Sequence, residues 1–337
     1  MKKTSLLVGF VLLLQIATAQ IQPNIYREAN KAEMNAWVDS VYSSLTIDER
    51  IGQLFMVIAD THTTTANKNL IKRYIDQQKI GGILFSKGTI AKQANITNYA
   101  QEASKTPLMI ALDGEWGLNM RLTDAPRFPR NMALGAIKDD SLLYLYGKEV
   151  ARQCKELGIH VNFAPVLDVN SNPRNPVIGS RSFGEDPQNV ASKSIAYSRG
   201  LEDGGVMAVA KHFPGHGDTS EDSHLTLPTI AHNRERLDSV ELYPFKAYIN
   251  AGLSGIMIGH LNIPALNTNG LPSSLTPEVG KELLKEEMGF TGLTFTDGMA
   301  MKGVANQPSM SVKALLAGND IILGVVNIEN EFQSVKE

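Results

Sequence analysis

Short apolar runs alternate along the chain with longer stretches in which apolar residues recur at helical spacing. This rhythm predicts strands alternating with helices. The expected strands are Gln53–Ala59, Gly82–Ser86, Leu108–Asp113, His160–Val169, Val206–His212, Gly255–His260, Gly292–Asp297 and Asp320–Gly324. Between them the spacing predicts helices over Lys68–Gln78, Ile90–Ser104, Ser141–Leu157, Pro187–Asp203, Arg234–Ala251, Pro277–Met288 and Ser309–Ala317, after a lead-in helix around Glu33–Ser44. Several of these end in a glycine stop, at Gly158, Gly204-Gly205, Gly252, Gly289 and Gly318. Eight strands in this order fit an α/β fold of the (β/α)8 TIM-barrel type. The rival, an open doubly wound sheet, normally needs a glycine-rich phosphate turn after its first strand, and Ile58-Ala59-Asp60-Thr61 offers none. The segment 326–337 after the last strand is short and polar at its end. It leaves the closing helix incomplete, or the chain a piece of something longer.

Composition narrows the classes. The 337 residues are 43% hydrophobic and 20% charged, which is globular rather than disordered. A formal charge of −3 supplies no broad positive surface, so nucleic acid is not an expected partner. The single cysteine excludes a disulfide framework and a multi-thiolate metal site. Lys2-Lys3, the apolar run Leu6–Leu14 and Ala17-Thr18-Ala19 form the three zones of a secretory signal. The run is too short to span a bilayer. The expectation is therefore a signal over 1–19, a barrel domain over 20–337, an exported product, periplasmic or secreted, and no membrane association after cleavage.

In a parallel barrel, side chains at the carboxyl ends of the strands converge on one mouth. Asp113, Asp168, Lys211-His212, His260 and Asp297 fall at or near such ends. Asp320 begins its strand and belongs to the opposite face. The stretch Lys211-His212-Phe213-Pro214-Gly215-His216-Gly217-Asp218-Thr219, with Asp222-Ser223-His224, holds three of the seven histidines. Its glycines and proline predict a long shaped loop. Three readings compete for it: a divalent-metal site built from His212, His216, Asp218 and His224; histidines that only order the loop; or a general acid/base, His224, oriented by Asp222 two residues away. The spacing has neither an early His-x-His nor a His-Glu-x-x-His helix, which counts against metal.

The same loop resembles that of the β-N-acetylglucosaminidases of glycoside hydrolase family 3. Thr294-Phe295-Thr296-Asp297-Gly298-Met299-Ala300-Met301 resembles that family's nucleophile segment. Asn162–Val169 and Arg181-Ser182-Phe183-Gly184 match two further segments in the same order. The resemblance implies a barrel that removes terminal N-acetyl-β-D-glucosamine with retention and without cofactor or metal. It makes Asp297 the nucleophile, His224 the acid/base and Asp222 its partner. Asp113, Arg121, Arg181, Lys211 and His212 correspond to residues that grip the sugar. One departure is Trp116, in Asp113-Gly114-Glu115-Trp116-Gly117, where the family usually has glycine. The expected partner is an oligosaccharide, of peptidoglycan or chitin type. Two alternatives stay open: a metal-dependent hydrolase on the same barrel, and a sugar-binding barrel without catalysis. Whether water or phosphate resolves the intermediate is open as well.

Overall fold

The computed structural model describes residues 23, 30–221, 226–305 and 307–337. The expected signal over 1–19 and the pair Asp222 and His224 lie outside the described residues. All eight strands form: β1 Phe55–Ala59, β2 Gly82–Phe85, β3 Met109–Leu112, β4 Val161–Asn162, β5 Met207–Phe213, β6 Gly255–Ile258, β7 Leu293–Thr296 and β8 Ile322–Leu323. They pair in parallel in the order β7-β6-β5-β4-β3-β2-β1-β8. The two ends of that order meet through one bridge, Phe295 to Ile321. The result is a nearly closed (β/α)8 barrel whose β7–β8 seam is thin.

The strands read as apolar runs because both of their faces are covered. The inward faces give one cluster that includes Met56, Leu84, Val161, Phe163, Met257, Phe295 and Leu323, with Phe163 and Phe295 packed edge to face at 5.2 Å. This plug fills the lumen, so the mouth above it is a closed-bottomed bowl and not a pore. The outward faces pack against the helices in two larger clusters, which include Ile71, Ile110 and Leu201 in one and Phe213, Phe245 and Val279 in the other. Gly158, Gly205, Gly252, Gly289 and Gly318 all take positive φ, as helix stops require.

Three expectations change. The run His160–Val169 pairs as a strand only over Val161–Asn162, because Pro165 has no N–H to give the ladder. Pairing resumes beyond it, with the Leu167 N–H donating to the Lys211 carbonyl at 2.7 Å. The expected helix Arg234–Ala251 breaks into Arg234–Arg236, a π-helical turn Leu237–Glu241 and Tyr243–Asn250, the last piece carrying Pro244 in its first turn, a residue that cannot continue the preceding hydrogen-bond ladder. The polar tail, finally, does contain a closing helix, Ile328–Lys336, capped by the Asn327 side chain on the Asn330 N–H. Its apolar face buries Phe332, whose ring lies 6.3 Å from that of Phe55 in β1.

The closing helix thus supports β1, the strand on which β8 pairs. Phe332→Ala is expected to lower unfolding stability by about 3–5 kcal/mol, the usual cost of emptying a buried phenylalanine site. Chemical denaturation of the variant measures this; a loss within experimental scatter would mean that the helix does not brace the barrel.

Candidate active site

The polar mouth follows from where the strands stop. Asp113 follows β3, Lys211 and His212 lie near the end of β5, and Asp297 follows β7. Arg121 comes from the β3 loop, and Arg181 from a 3-10 turn, Gly179–Arg181, after β4. The Asn131 side chain holds that turn by donating to the Arg181 carbonyl at 2.7 Å. These six residues line one cavity of about 560 Å3, with Glu115 among them. Ile58, Leu84, Met120, Met257, Met301 and Leu323 supply its apolar wall.

The charged groups form a chain of pairs. Lys211 Nζ donates to Asp113 Oδ1 at 2.8 Å and reaches Glu115 Oε1 at 2.9 Å. Arg121 Nη2 donates to Asp113 Oδ2 at 2.5 Å. Arg181 grips Glu115 with two parallel bonds, Nε to Oε2 at 2.9 Å and Nη2 to Oε1 at 2.7 Å. The Glu115 side chain is fully buried, and that of Lys211 is 4% exposed. Burial alone would raise the pKa of both acids, but Lys211 with Arg121 (Asp113) and Lys211 with Arg181 (Glu115) outweigh it, so both stay well below the usual carboxylate range. Lys211 is the mirror case: burial favours the neutral amine, yet Asp113 and Glu115 hold its pKa above the ordinary value.

Asp168, grouped with the mouth by its place near a strand end, is fully buried and absent from the cavity lining. It accepts from His212 Nδ1 at 2.7 Å and from the His216 backbone N–H at 2.6 Å. An ionised carboxylate only accepts, so Nδ1 carries the proton and Nε2 is the atom left near the cavity, 3.4 Å from Arg181 Nη2. Burial would raise the Asp168 pKa; His212 and His216 hold it down. Burial also pushes the His216 imidazole down, to about 4, so it is neutral at pH 7.

Asp297 is fixed from two sides. Its backbone N–H donates to the Ile258 carbonyl at 2.9 Å, and its Oδ1 accepts the Gly298 N–H at 2.7 Å. Burial would raise its pKa, but His212, His260, that N–H and Lys211 bring it to about 2. It is an ionised carboxylate at neutral pH, set in the same bowl as the charged chain.

Residues 46–337 match the family described as the glycosyl hydrolase family 3 N terminal domain. The chain belongs to glycosyl hydrolase family 3. It is 37% identical over 77% of its length to the beta-hexosaminidase A of Pseudoalteromonas piscicida, and 34% identical over 81% to a beta-hexosaminidase of Nitrosomonas eutropha. It spans 48% of the first relative and 80% of the second. Its fold matches a family 3 beta-N-acetylglucosaminidase structure from Paenibacillus sp. str. FPU-7 with a TM-score of 0.79, at 36% identity, over 86% of this chain and 57% of that one.

For this family 3 barrel, the structure brings Asp113, Arg121, Arg181, Lys211, His212 and Asp297 together; Asp222 and His224 lie outside the described residues. Around them, Asp218 pairs with His232, and His216 Nδ1 meets the Thr219 hydroxyl at 2.8 Å. Among the described residues, no group of three or more His, Cys, Asp or Glu side chains is arranged to hold a metal ion. Trp116 is outside the cavity lining: the Arg130 guanidinium covers its ring at 4.3 Å and also donates to Ser180 at 3.3 Å, beside Arg181. Arg130 thus links the Trp116 ring to the turn that carries Arg181. Glu115 is the member that motif reading passed over. Its signal was a charge count, since three cations were assigned to the sugar grip with Asp113 as the one acid among them.

Glu115→Gln removes the anion shared by Lys211 and Arg181. It is expected to lower stability by about 3 kcal/mol or more, as breaking a buried pair does, and to raise KM for the sugar substrate. Denaturation and steady-state kinetics on the folded variant check both; an unchanged KM would detach Glu115 from the binding site.

Proposed function

We propose that this chain is an exported, retaining exo-β-N-acetylglucosaminidase that releases terminal N-acetylglucosamine from peptidoglycan or chitin-type oligosaccharides through a covalent glycosyl-aspartate. The observation that carries the reading is the juxtaposition in one cavity of an ionised, ladder-held Asp297 and the charged chain from Arg121 to Arg181. Charged donors and acceptors on fixed backbone suit the ring hydroxyls of a single sugar, because charge-assisted bonds are stronger than neutral ones. Family membership and the relatives described as beta-hexosaminidases support the choice of sugar. The Lys-His-Phe-Pro-Gly-His loop, ending in Asp222-Ser223-His224, supports the choice of proton donor.

The chemistry follows the two-step logic of retention. Asp297 attacks the anomeric carbon while His224, oriented by Asp222, protonates the departing oxygen. The same imidazole then takes a proton from water, which frees the sugar from Asp297. An imidazole donor adds no second negative charge beside the attacking carboxylate. Export follows from the amino-terminal segment, and the compartment favours cell-wall material.

Asp297→Ala is expected to cut turnover roughly a thousandfold or more while leaving the fold intact. Near-normal turnover of an aryl N-acetyl-β-glucosaminide by this variant would reject the assignment. Wild-type enzyme should prefer that substrate to the aryl β-glucoside, should release free sugar even in phosphate buffer, and should carry a trapped fluorosugar at Asp297 by mass analysis. His224 variants should lose more activity on poor leaving groups than on activated aryl ones. Equal loss on both would remove His224 from the acid role.

A further inference from the structure

His260 is a fully buried histidine at the end of β6, and neither the sugar grip nor the proton donor uses it. Its ring is held at both nitrogens. Nδ1 lies 2.7 Å from the Ser274 hydroxyl and Nε2 lies 3.1 Å from the Gly298 carbonyl. A carbonyl oxygen only accepts, so Nε2 carries the proton and donates it to Gly298. The turn Ser273–Leu275 clamps the other side of the residue. The Ser273 hydroxyl accepts from the Leu261 N–H at 3.1 Å and donates to the Gly259 carbonyl at 2.7 Å, bracketing the His260 backbone.

Gly298 is the residue next to Asp297, and its two peptide groups are tied in different directions. Its N–H holds Asp297 Oδ1 at 2.7 Å; its carbonyl accepts from His260 Nε2 and, also at 3.1 Å, from the Met301 N–H. A Cβ added at Gly298 would meet nothing closer than the Met301 sulfur at 3.7 Å, so the site does not demand glycine for space. Glycine instead leaves this backbone free to rotate, and freedom beside a reacting carboxylate has to be removed by something else. The geometry points to His260 as the side-chain member of that constraint, beside the Met301 N–H on the Gly298 carbonyl and the Met299 N–H on the Leu323 carbonyl: we propose that it is a positioning residue that helps fix the Gly298 peptide, and through the Gly298 N–H the orientation of the Asp297 carboxylate in the attacking pose. The donor acts on the backbone and never touches the sugar. The proposal rests on the reading of Asp297 as nucleophile.

The test compares wild type, His260→Ala and His260→Gln on whichever aryl glycoside the wild type cleaves. The readouts are kcat, the inhibition constant of the free sugar, and thermal melting. His260→Ala should lower kcat roughly ten- to a hundredfold, the scale set by losing one buried hydrogen-bond donor, with the inhibition constant of the sugar unchanged. His260→Gln should recover most of kcat, since a carboxamide N–H reaches toward the Gly298 carbonyl. Equal kcat in the two variants, undiminished kcat in His260→Ala, or a sugar inhibition constant that rises in step with the kcat loss would overturn the proposal. Where His260→Ala does not fold, Ser274→Ala loosens the ring from its far side. It should lower kcat by a smaller factor, and an unchanged kcat there overturns the proposal too. Failure of the underlying reading shows elsewhere: a wild type without turnover, or an Asp297→Ala variant with it, sinks that reading and this proposal together.

Discussion

The constraint on which the mouth depends is the pairing of ionised groups around Glu115 and Lys211, which are almost fully buried at its floor. Asp113 and Glu115 face Arg121, Arg181 and Lys211 above a plug of apolar side chains, and every member is paired. Buried ions are tolerated only when partners replace the lost water. Asp297, drawn down to about pKa 2, and Asp168, buried behind His212, add two further negative charges beside the three cations.

The barrel makes that pairing possible by separating two jobs along the same strands. Alternate inward side chains below, such as Phe163 and Phe295, are apolar and set the floor. One or two residues later, the strand ends release Asp113, Lys211 and Asp297 into the mouth while the ladder still fixes their backbone. Asp297, for example, follows directly on β7 and still donates to Ile258 of β6. Position on rigid elements is what allows charged groups to converge without collapsing onto one another.

How much of this could be read from sequence depended on whether the signal was periodic or relational. All eight strands and the mouth residues Asp113, Lys211, His212 and Asp297 were legible, because strand ends leave local marks: an apolar run closed by an ionisable group. The interruption of the fourth strand was legible in principle, since Pro165 sits inside the run. Three features were not local. Glu115 matters because of its distance to two cations from other loops. Asp168 looks like a mouth residue by position, yet a short approach of the His212–His216 backbone buries it. The closing helix does carry a helical spacing, Ile328, Phe332 and Val335, but its place in the fold is set by Phe332 meeting Phe55 from the other end of the chain. Such facts live in packing, and a one-dimensional reading has no access to them.

The same distinction orders the two halves of the proposed chemistry. Asp168 accepts from the ring of His212, which grips sugar in the proposed mechanism, and from the backbone of His216, which opens the loop carrying Asp222 and His224. Asn175 adds bonds to the carbonyls of His216 and Gly217 at 2.8 and 3.0 Å. Gly217 presses so close to the Val169 carbonyl that a Cβ would lie 1.7 Å from it, so only glycine lets the chain run there. One buried carboxylate thus sets both the aim of the His212 imidazole and the direction in which the chain leaves His216 toward the proposed proton donor. In the proposed mechanism binding and protonation are therefore not independent: a change that displaces Asp168 would move both, whereas a change at His260 would act on the attacking side alone.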